Sequence, residues 1–504
     1  MNEFLKVSNI SKSFAGVNAL NNVSLTIYSG EVSCLVGENG SGKSTLIKTI
    51  AGVHQPDTGE ITIAGRRFTS LRPMTAIQQG IQVIYQDFSL FPNLTVAENI
   101  ALNQQVAQKK RFVNWREVRS IAQAALAQTE IDLPLNREVG DLSVADKQLI
   151  AISRAILQNA RLIIMDEPTT ALTEKEVEVL FRVIRNLQKN NEMAVLFVSH
   201  KLNEVKEIAE RVIVLRNGEK VLDTEATDLD QRNIAYYMTG HDIAQQPYAY
   251  EASQHSTQPL LQVDNLTLTG GFENVSFTLR PGEILGITGL LGSGRTELAL
   301  SLFGVRPATS GAIQVDGQRI RINSIQDALH HQIGYVPEDR LTEGLFLPRS
   351  IGNNIVVRVL KQLMGTGGLL DNQAISHQIG KWVDDLSIKT SNPQLPVQSL
   401  SGGNQQRVVI AKWLASNPRV LILNGPTVGV DIGSKAEIHD IIKGLAQAGM
   451  GIIVISDDIP EVMETCNRIL LMRRGRIVDE LQTSDITEQQ LSARLRETAV
   501  LMQG

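Results

Sequence analysis

The sequence is short of the features that mark several large classes of protein. Two cysteines in 504 residues, Cys34 and Cys466, cannot build a disulfide framework and fit a reducing compartment. No apolar run approaches the ~18–20 residues of a membrane span. The longest are strand-sized pieces such as Leu162–Met165, Ala194–Val198 and Gly451–Ile455. The opening Met1-Asn2-Glu3-Phe4-Leu5-Lys6 lacks the basic-then-apolar layout of a signal peptide. Any work at a membrane is therefore expected to go through a partner. There is no excess of positive charge: 48 Lys and Arg against 53 Asp and Glu leave a net −5, which argues against general nucleic-acid binding. The histidines show no metal-ligand spacing. What remains is ordinary globular composition, 42% hydrophobic and 20% charged, over a length that suggests several domains.

Internal repetition decides the organisation. Gly30-Glu31-Val32-Ser33-Cys34-Leu35-Val36-Gly37 returns 252 residues later as Gly282-Glu283-Ile284-Leu285-Gly286-Ile287-Thr288-Gly289. Asn22-Val23-Ser24 returns as Asn274-Val275-Ser276 at the same offset, and Leu142-Ser143 and Leu162–Met165 return 258 residues on as Leu400-Ser401 and Val420–Leu423. Segments in one order at a nearly constant offset indicate two copies of a domain. The polar stretch around Gln245-Gln246-Pro247 and Glu251–Pro259 lacks apolar periodicity and reads as a linker. The expected division is domain 4–242, linker 243–259 and domain 260–497. Within each half, short β-branched runs alternate with amphipathic stretches such as Glu174–Asn190, so the fold class is α/β with a mainly parallel sheet buried on both faces.

Gly37-Glu38-Asn39-Gly40-Ser41-Gly42-Lys43-Ser44-Thr45 satisfies G-x-x-x-x-G-K-[ST] between an apolar strand and a helix-like segment. Its glycines let backbone N–H groups turn inward on phosphate oxygens, and the helix adds the positive end of its dipole. Lys43 would reach the β- and γ-phosphates, and the Ser44 hydroxyl can ligate Mg²⁺. Leu162-Ile163-Ile164-Met165-Asp166-Glu167 then sets two carboxylates at the end of a strand, where α/β sheets bind ligands. Asp166 would hold Mg²⁺ and Glu167 would polarise the attacking water. A solvated strand end looks the same in isolation; the phosphate loop beside it gives it meaning. His200, by itself, reads as a surface or capping residue.

Phe14, the phosphate loop, Gln86, the carboxylate pair and His200 occur in the order found in ATP-binding cassette (ABC) ATPases, and Leu400-Ser401-Gly402-Gly403-Asn404-Gln405-Gln406-Arg407 resembles the signature sequence of that family. Over residues 4–495 the chain resembles the tandem ATPase subunits of bacterial sugar importers, the ribose/galactoside/xylose/arabinose group, which also carry a segment like Gly334-Tyr335-Val336-Pro337-Glu338-Asp339-Arg340. The resemblance implies two P-loop NTPase domains, each with a mainly parallel core sheet, an antiparallel β subdomain and a helical subdomain, and ATP with Mg²⁺ as cofactors. It implies that Phe14 stacks on adenine, that Gln86 ligates Mg²⁺, senses the γ-phosphate and couples the site to a permease touched by Phe88–Ala101, and that His200 contacts the γ-phosphate. Cassettes of this family close head to tail, so Ser401, Gly402, Gly403 and Gln405 would complete a site whose phosphate loop lies in the other domain. The implied partners are a dimer of membrane permease subunits and an extracytoplasmic solute-binding protein. The implied location is peripheral, on the cytoplasmic face of the inner membrane, through the permease alone.

The pattern breaks on one side. The second phosphate loop, Gly289-Leu290-Leu291-Gly292-Ser293-Gly294-Arg295-Thr296, has Arg295 for lysine; Glu338 replaces Gln86, Asn424-Gly425 replace the carboxylate pair and Asp457 stands at the position of His200. The first signature, Leu142-Ser143-Val144-Ala145-Asp146, loses both glycines, and Thr173 stands where Asp431 lies in the second half. Under head-to-tail pairing every departure falls in one composite site, so one catalytic and one degenerate nucleotide site are expected. The competing readings are a ribosome-associated tandem cassette, disfavoured by the short polar linker and the net charge, and a non-hydrolysing nucleotide sensor, disfavoured by the intact Lys43, Asp166, Glu167 and His200.

Overall fold

The computed structural model describes residues 2–14, 17–85, 88–107, 112–129, 133–170, 172–199, 201–240, 248, 250, 258–365 and 368–500. The chain divides into two compact units, Met1–Ile243 and Ala244–Gly504. Tyr248, in the stretch read as linker, is tied to the second unit: its hydroxyl donates to Gly282 O at 3.0 Å and its carbonyl accepts from Asn467 Nδ2 at 2.9 Å.

The core of the first unit is a six-stranded sheet in the order Glu219–Glu225, Arg211–Arg216, Val32–Val36, Ala194–Val198, Leu162–Asp166, Ile81–Ile84. All neighbours run parallel except the edge strand Glu219–Glu225. Val32–Val36 and Ala194–Val198 are buried at every residue, which is why they read as unbroken apolar runs rather than alternating ones. The second unit repeats the order with Arg476–Gln482, Arg468–Arg473, Ile284–Thr288, Gly451–Ile455, Val420–Asn424 and Ile333–Val336.

Each core sheet is accompanied by a four-stranded antiparallel sheet: in the first unit Glu3–Phe14 pairs with Val17–Tyr28 and Thr58–Ile63, and in the second Leu261–Leu268 pairs with Phe272–Leu279 and Ser310–Val315. A helical part completes each unit. In the first, Val96–Ala107, Trp115–Thr129 and Val144–Leu157 close over their own core of Val96, Ile100, Val118, Ala122 and Ile150. In the second, Ile351–Val356, Asn372–Asp385 and Gly402–Leu414 follow in the same chain order. The expected pair of α/β units, each with a parallel sheet, an antiparallel sheet and a helical part, is what the chain forms.

One buried asparagine shapes the entry to each helical part. Asn99 accepts from Phe91 N and donates to the carbonyls of Phe91, Leu94 and Thr95; Asn354 does the same with Phe346 N and the carbonyls of Phe346, Arg349 and Ser350. Both are fully buried, and their bonds satisfy backbone groups that a loop would otherwise leave bare.

Candidate functional site

Parallel strands send their carboxyl ends to one rim of the sheet, and the first unit sets its reactive positions there. The phosphate loop follows Val36, Asp166 ends its strand in register with Val198, and Ile84 pairs with Met165. Gln86 and His200 lie outside the described residues; the strands that lead to them end on this rim.

The phosphate loop is held by the backbone around it. A side chain on Gly37 would come within 2.3 Å of Leu215 O, and one on Gly42 within 2.6 Å of Ala19 O. Gly42 caps the helix Lys43–Ile50 in the left-handed region at φ 104°. Lys43 is buried and donates from Nζ to Gly37 O at 2.7 Å and Glu38 O at 2.8 Å, so its charge lies at the mouth of the loop. Ser41 Oγ is buried in the same loop with no hydrogen-bond partner among the described residues. Ser44 is exposed at the start of the helix. Phe14 ends a strand of the antiparallel sheet with 41% of its surface exposed, its ring 5.1 Å from that of His54.

Asp166 and Glu167 sit side by side and half-buried. Burial, followed by the neighbouring charge of Glu167, raises the Asp166 pKa above the usual carboxylate value, against an opposing pull from Lys43 and Lys48. A pair of crowded carboxylates offers the hard oxygen donors that suit a small divalent cation. Among the described residues no cluster of three acidic, histidine or cysteine side chains could hold a metal.

A residue that pattern reading passed over bolts two strand ends together. Glu204 Oε2 accepts from Thr169 Oγ1 at 2.7 Å and from Ser199 Oγ at 2.9 Å, and Lys201 Nζ donates to Thr169 O at 3.1 Å. The loop after Asp166 and the residue before His200 are thereby fixed to each other. The second unit repeats the device through Thr427 Oγ1 and Glu461 Oε1 at 2.6 Å. The spacing Ser199 to Glu204 and Ser456 to Glu461 was there to be found in the repeat. The two thiols take no part: burial pushes both Cys34 and Cys466 well up, away from reactivity.

The second phosphate loop keeps the same frame. A side chain on Gly289 would meet Met472 O at 2.4 Å, one on Gly294 would meet Gly271 O at 2.8 Å, and Ser293 Oγ is likewise buried without a partner. The cation differs in its partners: Arg295 Nη1 donates to Gly289 O at 2.7 Å, and Nη2 forms an ion pair with Asp457 at 3.1 Å.

The two signature segments both start helices. Ser143 Oγ accepts from Asp146 N at 3.1 Å as an ordinary cap, whereas Ser401 Oγ accepts from the Asn404 side chain at 2.9 Å. Gly403 is required by close approach, since a Cβ there would fall 2.3 Å from Ser434 Cβ and Oγ; one on Gly402 would stand 2.9 Å from Arg340 Nη2. Gln405 is buried and donates to Leu400 O at 3.1 Å, bracing the turn that presents Ser401. Arg340 Nη2 also donates to Gly429 O at 3.0 Å, tying the turn after the Ile333–Val336 strand to the loop before Asp431. Asp431 caps the helix Ile432–Gln447 through Ser434 N at 2.9 Å; Thr173 caps the matching helix in a capping box with Glu176.

Comparison with known proteins is consistent with this geometry. The chain matches the family described as ABC transporter over residues 20–170 and 272–428. It is 43% identical over 489 residues to the ribose import ATP-binding protein RbsA of Clostridium perfringens strain SM101, with 97% of each chain covered. It is 40% identical over 487 residues to a putative ribose/galactose/methyl galactoside import ATP-binding protein of Pseudomonas fluorescens, covering 97% of this chain and 94% of that one. Among solved structures it is similar to a nucleotide-free ATP-binding cassette from an ABC transporter, at 27% identity and a TM-score of 0.41, over 44% of this chain and 91% of the other.

Proposed function

Because the chain belongs to the ABC transporter family of ATPases, we propose that it is the subunit whose ATP hydrolysis powers import of a sugar-like solute through a membrane permease, with one catalytic and one degenerate nucleotide site. The observation that carries the reading is a likeness spanning nearly the whole chain to proteins named for ribose and for ribose/galactose/methyl galactoside import.

In this reading the first phosphate loop binds ATP through the backbone from Gly37 to Thr45, with Lys43 on the β- and γ-phosphates and Phe14 against adenine. Ser44, Asp166 and Gln86 would hold Mg²⁺, which would supply positive charge beside the phosphates. Glu167 orients the attacking water and accepts its proton, and His200 donates to the γ-phosphate. Ser401, Gly402 and Gly403 offer a helix N-terminus to that same γ-phosphate, with Gln405 as their brace. The second loop keeps the cradle without the water-activating carboxylate and serves as a nucleotide clamp.

Among the described residues no helix is long and apolar enough to cross a membrane. The likeness to import ATP-binding proteins supports a chain that meets the inner membrane as a peripheral subunit of a permease dimer. The contact surface we assign lies in Phe88–Ala101. Phe88 and Ser89 adopt left-handed φ values of 57° and 46°, held by Arg154 donating to both carbonyls, and Phe91 exposes 49% of its surface. The test is uptake of labelled ribose and galactosides into vesicles holding the chain, its permease and its extracytoplasmic solute-binding protein. Replacing Phe88 and Phe91 together is expected to abolish uptake while ATP binding persists. Co-purification with ribosomes in place of a permease, or uptake indifferent to Lys43→Ala, would overturn the reading.

A further inference from the structure

We propose that the second phosphate loop holds its nucleotide together with a divalent cation, ligated by Thr296, Glu338 and Asn424, in which the carboxylate and the amide have exchanged strands relative to the first unit. The inference rests on the reading of that loop as a nucleotide clamp and concerns what the clamp uses.

The three positions correspond in the sequence repeat. In the first they are a hydroxyl at the helix start, Ser44, a carboxylate at the end of the Leu162–Asp166 strand, and an amide, Gln86, two residues past the Ile81–Ile84 strand. In the second they are Thr296, Asn424 and Glu338. The edge strand pairs in the same register in both, Ile84 with Met165 and Val336 with Leu423. The loss of Asp at 424 therefore does not strip the site of its anionic oxygen; the oxygen is carried by the neighbouring strand.

Two observations put Glu338 at the site, and a third orients Asn424. Thr296, Glu338 and Asn424 line one cavity of about 420 Å³ within the second unit. A Cβ built on Gly425 would stand 3.1 Å from Glu338 Cγ, so the stem of Glu338 lies against the backbone just after Asn424. Asn424 is buried, and its Nδ2 donates to the Tyr335 hydroxyl at 3.4 Å, which directs that amide by its nitrogen and leaves Oδ1 as its ligand atom. Tyr335 is itself fixed by stacking on Phe303 at 5.2 Å. One carboxylate, one amide oxygen and one hydroxyl form a hard-oxygen set of the kind that holds Mg²⁺ beside phosphates.

The charge balance asks for such a cation. Arg295 is already paired with Asp457, which offsets part of the positive charge it presents to phosphates. The same arrangement separates holding from hydrolysis. Glu338 supplies a ligand from the turn after the Ile333–Val336 strand, and the place of Glu167 is taken by Gly425, where a side chain would meet Val428 Cγ2 at 2.8 Å and Glu338 Cγ at 3.1 Å.

The test uses Mn²⁺ with ATP on the full-length chain carrying Lys43→Ala and Asp166→Asn, which disables the first site. Electron paramagnetic resonance is expected to report one nucleotide-dependent Mn²⁺ per chain. Adding Glu338→Gln should weaken it by roughly tenfold to a hundredfold, the size of effect that even outer-shell partners of a metal show. Adding Asn424→Asp to that variant should restore it by recreating the arrangement of the first unit, a rescue that a merely structural role for Glu338 does not predict. Mn²⁺ binding indifferent to Glu338→Gln, or ATP bound with no Mn²⁺, would overturn the inference and leave the clamp standing. A chain that binds neither ATP nor Mn²⁺ would overturn both.

Discussion

Arg295 Nη2 stands 3.1 Å from Asp457 Oδ2, and the two residues occupy the places of Lys43 and His200. Two departures that look independent along the chain are one change in space: a cation aimed at phosphate has become half of an internal pair. Asp457 is 71% exposed, so the pair contributes at most about 1 kcal/mol to stability. Asp457→Ala is expected to leave turnover and melting temperature nearly unchanged while tightening ATP at the second loop, measured in the Lys43→Ala, Asp166→Asn chain. A melting temperature lowered by ten degrees would show that the pair is structural instead.

Lys43→Ala and Glu167→Gln should each remove nearly all ATPase activity. Each takes away a group that acts on developing charge or on the attacking water, and such losses cost orders of magnitude in rate. Steady-state turnover with the permease present decides it; a Glu167→Gln protein near the original rate would sink the assignment.

Ser401→Arg should be as damaging as Lys43→Ala, because an arginine at that helix start blocks approach to the γ-phosphate. Ser143→Arg removes a cap whose bond to Asp146 N is worth about 1 kcal/mol and should leave substantial activity. Equal losses in the same assay would rule out the one-sided site. Gly403→Ala belongs with Ser401→Arg, for its added methyl would fall 2.3 Å from Ser434.

Restoring the carboxylates with Asn424→Asp and Gly425→Glu together is not expected to double the rate. The left-handed backbone is no obstacle, since Glu167 adopts φ 49° and Gly425 φ 58°. The obstacle is space, with Glu338 and Val428 already beside position 425. A second equivalent of hydrolysis in single-turnover measurements would contradict this.

Lys412 offers a test of stability against pH. Burial, reinforced by Arg358, lowers its pKa from 10.5 to about 8, and its ammonium donates to Gly344 O behind the Arg340 turn. The unfolded chain therefore holds a proton between pH 8 and 10.5 that the folded chain releases, so the penalty of burying the charge is full below pH 8 and fades above it. Lys412→Met should gain about 2–3 kcal/mol more at pH 7 than at pH 10, following ~1.4 kcal/mol per pKa unit. Urea unfolding at the two pH values measures the difference, and an equal effect at both would contradict the shift.

Much of this was legible in the chain because it depends on local pattern. The offset between Gly37 and Gly289 predicts two units with one strand order, and unbroken runs such as Val32–Val36 predict strands buried on both faces. Phosphate-loop spacing is a covalent distance and survives in one dimension. Side-chain partnerships do not. Glu204 touches Thr169 from 35 residues away, and Arg340 reaches Gly429 across 89. No periodicity marks such pairs. Glu338 was visible as a replacement for Gln86 yet counted as a defect, because its compensation with Asn424 appears only when neighbouring strands are set side by side.

Met472 O stands where a side chain on Gly289 would go, as Leu215 O does for Gly37. Each loop is thus moulded against the backbone of the adjoining strand. A duplicated half can then lose reactive groups one at a time without losing its dimensions. Wear of that kind runs through the chemistry and stops at the geometry.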